Sequence, residues 1–175
     1  MTEDMFRTER LTVRHFQPHD LDDFAALCAD PAVMRYVGDG STLDRADVAY
    51  WIEVCERRYA ERGYGTSAVF ERSSGDFVGY CGVVRAGDRN FDELVYVFHQ
   101  RFWGGGYATE AGRAMLGHVF EISSLDEIAA TIDPDNHASI RVAGKLGMVE
   151  QPGRDAGDGE PTRFYAISRQ QYADR

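Results

Sequence analysis

Apolar and polar positions along the chain keep two rhythms, one of period two and one close to 3.6, and the places where they exchange mark out the elements. Arg10-Leu11-Thr12-Val13-Arg14-His15-Phe16 alternates as a half-buried strand does, and Pro18-His19-Asp20 supplies a turn and a helix N-cap. Leu21, Phe24, Leu27 and Cys28 then form the buried stripe of a first helix. After the Gly38-Asp39-Gly40 turn, Ser41 or Thr42 is placed to cap a second helix, in which Val48, Trp51, Ile52, Cys55 and Tyr59 keep helical spacing as far as Gly63. The first quarter of the chain thus reads as mainly helical.

The composition next shifts to aromatic and β-branched residues at 66–70, 77–84 and 91–98, separated by Ser73-Ser74-Gly75-Asp76 and Gly87-Asp88-Arg89-Asn90. This pattern predicts a three-stranded antiparallel meander. From Tyr107, Ala111, Met115, Leu116 and Val119 mark a helix; residues 127–132 form a short strand; residues 139–146 form another helix, stopped by Gly147. Residues 151–161 lack apolar side chains, mix glycine and proline with acidic residues, and predict a mobile hairpin loop before a last strand at 163–167. No repeat or linker interrupts this order, so residues 1–175 are expected to form a single α+β domain with one shared core.

At 175 residues such a domain buries roughly 70% of its unfolded-chain surface and needs no staple. Cys28, Cys55 and Cys81 form no Cys-x-x-Cys pair and read as small buried apolar residues, which suits a reducing, cytoplasmic compartment. The charged first residues and the lack of an apolar run near ~20 residues predict a soluble, unexported protein without membrane association. A net charge of −10 argues against nucleic-acid binding and weakly favours cationic substrates. His99, His118 and His137 have no metal-ligand spacing with one another or with the cysteines, so no metal is expected.

Candidate chemistry concentrates where Arg101-Phe102-Trp103-Gly104-Gly105-Gly106 leads into Tyr107-Ala108-Thr109-Glu110-Ala111. A strand ending in a glycine loop that opens a helix presents unpaired N–H groups and the positive end of the helix dipole to an anion such as pyrophosphate. A P-loop would place Gly-Lys-Ser/Thr where Gly106-Tyr107-Ala108 stands. A dinucleotide fingerprint would need glycine at Thr109, early in a longer βαβ series.

The wording Arg-x-x-Gly-x-Gly at residues 101–106 resembles the acyl-CoA signature of the GNAT superfamily of N-acetyltransferases, and residues 102–111 look like its RimJ/RimL-like branch. Glu9-Arg10-Leu11-Thr12-Val13-Arg14 resembles the first strand of that branch, residues 30–36 its first interhelical loop and residues 77–82 its third strand. Residues 133–148 are similar to its Asn-x-x-Ser helix leading to Lys-x-Gly-Phe. The resemblance implies a mixed central sheet splayed between its fourth and fifth strands and flanked by helices. Pantetheine would lie in the gap and pyrophosphate on amides around Gly104, Gly105, Gly106, Tyr107, Ala108 and Thr109, with Arg101 at the same site.

It implies an acetyl-CoA-dependent enzyme that moves an acetyl group by direct transfer to a primary amine, either a protein N-terminal α-amine or a small polar amine. Glu93 would be the base, acting through water, or else a structural glutamate. The thioester carbonyl would meet an N–H exposed by a bulge within residues 95–98, which places Val97 and Phe98 among the cofactor-binding positions. Asn136 would bond the pantetheine arm and Ser139 would assist the leaving sulfur, or both would simply cap their helix. Tyr107 would touch cofactor or pack under the loop, and Trp103 would anchor the loop against the core. Many GNAT enzymes carry a tyrosine acid where this chain has Ala143. A homodimer is compatible with the family, and the rival reading from another class is a catalytically silent acyl-CoA-binding regulatory module.

Overall fold

The computed structural model describes residues 4–85, 89–154 and 161–175. Among them, eight strands make one sheet, ordered β1 (Asp4–Arg7), β2 (Leu11–Arg14), β3 (Thr66–Glu71), β4 (Phe77–Val84), β5 (Glu93–Phe98), β6 (Glu127–Ile132), then β8 (Arg163–Ser168) and β7 (Val149–Glu150). The helices are α1 (Leu21–Cys28), α2 (Pro31–Met34), α3 (Arg45–Arg62), α4 (Tyr107–Ile122), α5 (His137–Leu146) and α6 (Arg169–Ala173). The expected meander is present as β3-β4-β5, antiparallel throughout. β5 and β6, joined through α4, run parallel and pair only at Glu93↔Ala129. Beyond that point they diverge, whereas β6 and β8 stay in register from Glu127↔Ser168 to Ile132↔Arg163. This is the mixed, splayed α+β sheet implied for the fourth and fifth strands, which are β5 and β6 once β1 is counted.

Alternation along the strands sends successive side chains to opposite faces. Ala68 and Tyr80 join Phe16, Phe24, Leu27, Val48 and Ile52 beneath α1 and α3, while Val69 and Cys81 join Met115, Leu116, Val119 and Leu146 beneath α4 and α5. The expected single core is thus divided by the sheet. A third, smaller cluster, Ala129, Phe164 and Ala166 with Phe91, covers the β6–β8 face and holds no helical residue. Cys28, Cys55 and Cys81 are buried and free, as the composition suggested.

Several local readings change. Asp20 does not cap α1 with its side chain. It is buried, takes both Arg14 Nη atoms at 2.7 Å and accepts from the Gln17 amide at 2.8 Å, because a buried guanidinium on β2 requires a counterion. α3 is capped by Asp44 rather than Ser41 or Thr42: its carboxylate accepts from the Ala46 and Asp47 amides at 2.8 and 2.9 Å. The residues before it are already committed, the Ser41 amide to Asp39 and the Leu43 amide to the Cys28 carbonyl. The third meander strand begins at Glu93 rather than at residue 91, since Phe91 turns into the small cluster on Phe164, with ring centroids 5.0 Å apart. β1, α2, β7 and α6 are additional short elements. The expected hairpin loop at 151–161 lies largely outside the described residues, as do Gly87 and Asp88 of the preceding turn.

Candidate active site

β5 runs out at Phe98 and the chain makes one tight turn at Gln100–Phe102, whose Phe102 is buried as an anchor. Gly104 and Gly106 then take φ of 75° and 83°, a left-handed conformation open to glycine at little cost. Gly106 is the N-cap of α4 and brings no capping side chain, so the amides of Tyr107, Ala108 and Thr109 precede the first intrahelical bond, Glu110 N–H to Gly106 O at 3.0 Å. A Cβ built on Gly104 would meet nothing within 4 Å. An uncapped helix terminus beside an open glycine turn is what an acyl-CoA pyrophosphate requires, and the fit is good. Arg101 is largely exposed, 3.4 Å from Asp76 and with its guanidinium 4.8 Å from the Phe102 ring centre.

Beneath the loop lies a polar support assembled from remote parts of the chain. Arg10 donates from Nη1 to Gly105 O at 2.9 Å and from Nε to Glu110 Oε2 at 2.7 Å. Glu110 Oε1 accepts from Thr8 Oγ1 at 2.5 Å and from the Arg10 amide at 2.9 Å. These bonds hold the Glu110 carboxyl below the ordinary carboxylate range against the opposing effect of burial. Tyr107 packs under the loop: its ring lies 4.2 Å from the Arg10 guanidinium, edge-on to Phe102, and its hydroxyl donates to Glu71. Trp103 is about half exposed, so it does not anchor the loop by burial; its indole N–H reaches the Phe98 carbonyl at 2.8 Å instead.

The gap between β5 and β6 supplies the second half of the site. The Asp92 carbonyl accepts from the Ala129 amide at 2.8 Å, so alternation turns the backbone groups of Tyr96 and Phe98 toward β6, where the ladder has ended. Val97, by the same alternation, turns its backbone to β4. The β4–β5 register is continuous from Gly79↔Phe98 to Val84↔Glu93, so the expected bulge at 95–98 is absent; divergence of the strands, not a bulge, frees these groups. The register shift falls instead between β3 and β4, beside Gly79, whose φ of 148° and close approach to the Val97 carbonyl leave no room for a Cβ.

Glu93 sits where β5 and β6 still touch. It is 7% exposed, and its carboxylate accepts from Arg89 Nη1 and from Thr131 Oγ1, each at 2.7 Å. Alternation puts it on the α1–α3 face with Val95 and Val97, whereas Tyr96 faces α4 and α5. At the start of α5, Asn136 Oδ1 accepts from the Ser139 amide at 3.2 Å, a helix cap. Ser139 also interacts with Tyr96, whose phenol burial pushes up to about 12 while the serine hydroxyl acts in the opposite direction. Glu93 and Ser139 therefore approach the gap from opposite faces of the sheet. Ala143 is buried in α5. Thr131, Arg89 and Thr8 carry no motif signal; Tyr96, Arg10 and Glu110 lie in stretches the sequence marks, but only the fold joins them to these partners. Among the described residues, no three His, Cys, Asp or Glu side chains gather as a metal site, and no helix is long and apolar enough to cross a membrane.

Comparison with known proteins gives a consistent result. Residues 10–149 match the acetyltransferase (GNAT) domain. The uncharacterized Bacillus subtilis protein YkkB is 38% identical over 146 residues, covering 81% of this chain and 83% of its own. The uncharacterized N-acetyltransferase p20 of Bacillus licheniformis is 25% identical over 145 residues, 82% of each chain. Among solved structures, an acetyltransferase from Agrobacterium tumefaciens superposes with a TM-score of 0.82 at 24% identity over 94% of both chains. The RimL ribosomal L7/L12 alpha-N-protein acetyltransferase, solved with coenzyme A, shares the fold, with a TM-score of 0.80 at 14% identity over 97% of this chain and 99% of its own. With a glycine turn opening an uncapped helix, a splayed sheet, and a family match across most of its length, the chain belongs to the GNAT acetyltransferases and is an acetyl-CoA-dependent N-acetyltransferase.

Proposed function

We propose that this enzyme transfers acetyl directly from acetyl-CoA to a primary amine within a ternary complex, in the manner of the RimJ/RimL-like branch, with a protein N-terminal α-amine or a small polar amine as acceptor. The observation that carries this reading is the pairing of an uncapped α4 terminus with the unpaired edge of β5, which together offer backbone donors at both ends of the β5–α4 connection. Acetyl-CoA supplies the acetyl group already activated as a thioester.

The amides from Gly104 to Thr109 take the pyrophosphate, with Arg101 at the rim, and the β5 edge at Phe98, rather than at Val97, whose backbone turns to β4, lines the pantetheine arm. A free N–H on that edge polarises the thioester carbonyl. Glu93, on the acceptor face, receives through water the proton lost as the amine nitrogen bonds to the acetyl carbon. Ser139, backed by Tyr96 on the opposite face, donates a hydrogen bond to the sulfur as the C–S bond breaks; Asn136 holds the helix start that aims it. An α-amine of ordinary pKa about 8 retains a useful neutral fraction at working pH, so a modest base suffices.

Initial-velocity kinetics with acetyl-CoA and a panel of N-terminal peptides, polyamines and aminoglycosides test the proposal. Intersecting double-reciprocal lines, and no acetylated enzyme by intact mass after incubation with acetyl-CoA alone, are expected. Parallel lines with a stoichiometric acetyl-enzyme would overturn direct transfer.

A further inference from the structure

The glycine turn has no side chains of its own with which to fix its backbone, and among the described residues the side-chain grip on it comes from the β1–β2 turn, 95 residues away, through Arg10 and the Gly105 carbonyl. We propose that Thr8, Arg10 and Glu110 are positioning residues for the anion site, a clamp that turns the Gly105 carbonyl away from the phosphates and neutralises the one carboxylate in the first turn of α4. This rests on the reading that the loop amides bind the pyrophosphate.

The argument is geometric. A peptide free to rotate presents its carbonyl dipole to a bound anion as readily as its N–H, and only the N–H is attractive. Arg10 Nη1 fixes the Gly105 carbonyl, while a Cβ on the neighbouring Gly104 would meet nothing within 4 Å. The same guanidinium lies under Gly106, where a Cβ would come 3.5 Å from Nη2, and against the Tyr107 ring. Glu110 stands in the first turn of α4, where an uncompensated negative charge would repel a pyrophosphate. Each of its oxygens is instead occupied, one by Arg10 Nε and the other by Thr8 Oγ1 and the Arg10 amide.

The turn that carries the clamp is itself held firmly. Thr8 and Leu11 exchange bonds across it, the Thr8 amide to the Leu11 carbonyl at 2.9 Å and the Leu11 amide to Thr8 Oγ1 at 3.0 Å. Arg72 Nη1 pins the Thr8 and Glu9 carbonyls to the end of β3 at 2.7 and 3.0 Å. A partly exposed ion pair of this kind adds little to stability. Its effect on a preorganised donor array is larger, because the array then needs no reordering when the anion arrives.

The test is calorimetric titration of the full-length protein with coenzyme A and with pantetheine, which lacks the pyrophosphate. Wild type is expected to prefer coenzyme A, and Arg10→Met, which keeps the stem over Tyr107, is expected to lose about tenfold of that preference while pantetheine affinity stays within about twofold. Thr8→Val is expected to lose a smaller part and decides the matter if Arg10→Met does not fold. Val119→Ala, in the core at the other end of α4, is expected to lower Tm without altering the preference. If Arg10→Met and Thr8→Val keep the wild-type preference, or if Val119→Ala erodes it equally, the clamp is overturned while the anion site stands. If wild type itself has no preference for coenzyme A, the pyrophosphate reading fails first and takes the clamp with it.

Discussion

Glu93 and Thr131 meet at the last point of contact between two separating strands, and that position explains why a buried carboxylate is tolerated there. Both carboxylate oxygens are satisfied, one by Arg89 and one by Thr131, so the charge is held in a fixed orientation at the foot of the gap. Glu93→Gln is expected to lower kcat by about 10²-fold and leave the KM for acetyl-CoA unchanged. Thr131→Val is expected to lower kcat several-fold, with recovery in Thr131→Ser; an unchanged kcat in both Glu93→Gln and Thr131→Val would show the pair to be structural. The Glu93 position was legible from its place at the head of a strand, but its partners were not, since Thr131 lies in β6 and nothing in its neighbours along the chain marks it. Tyr96 was legible as a residue of the same strand, but its contact with Ser139 was not. With its phenol pushed up to about 12, it remains a neutral hydrogen-bonding group throughout the working range, beside Ser139 and close to the helix that bears Ala143.

At the scale of elements, the long and strongly patterned segments were readable almost to the residue. β4, β6 and α4 begin and end where their hydrophobic periods do, because burial of one face dictates both period and extent. The short elements were not readable: β1, α2, β7 and α6 are four, four, two and five residues long and depend on partners distant in sequence. Caps failed for a related reason. Several polar residues stood near the α3 N-terminus, and the choice of Asp44 follows from where the helix starts, at Arg45, which leaves Ser41 and Thr42 ahead of the cap position. Asp44→Ala is expected to cost about 1 kcal/mol and to lower Tm by about 2–4 °C. Thr42→Ala should lie within about 0.5 kcal/mol of wild type. Equal losses in differential scanning calorimetry would contradict the assignment of the cap.

For the whole molecule, the sheet acts as a partition, with one core cluster beneath α4 and α5 and another beneath α1 and α3, and it opens where β5 and β6 part. The glycine loop announced itself in the sequence because glycine is chemically conspicuous and local; the support beneath it joins residues about 100 positions apart and exists only after folding. The partition also sets the pH response. Burial lowers the proton affinity of His15, His99 and His118 in the folded state. The unfolded chain therefore binds more protons just below the ordinary histidine value of about 6.5, and stability must fall as pH drops through that value and toward the lowered folded ones. Glu110 and Glu150 are held below the ordinary carboxylate range, so their contribution is present at neutral pH and is lost later, below about pH 4. Melting curves should thus show a first decline below about pH 6.5, flattened by replacing His15 and His118 with glutamine; a Tm that stays level down to pH 5 would contradict it.

The central claim, that the α4 terminus and the β5 edge form an acyl-CoA site, is tested most directly by calorimetric titration of the purified protein with acetyl-CoA beside Gly106→Glu. Gly106 lies at a φ of 83°, and a glutamate there strains the turn and starts its side chain against the Arg10 guanidinium that holds the loop. Micromolar binding by wild type that is lost in a folded Gly106→Glu protein is the expected result. Equal binding by both proteins, or none by folded wild type, would contradict the site as drawn.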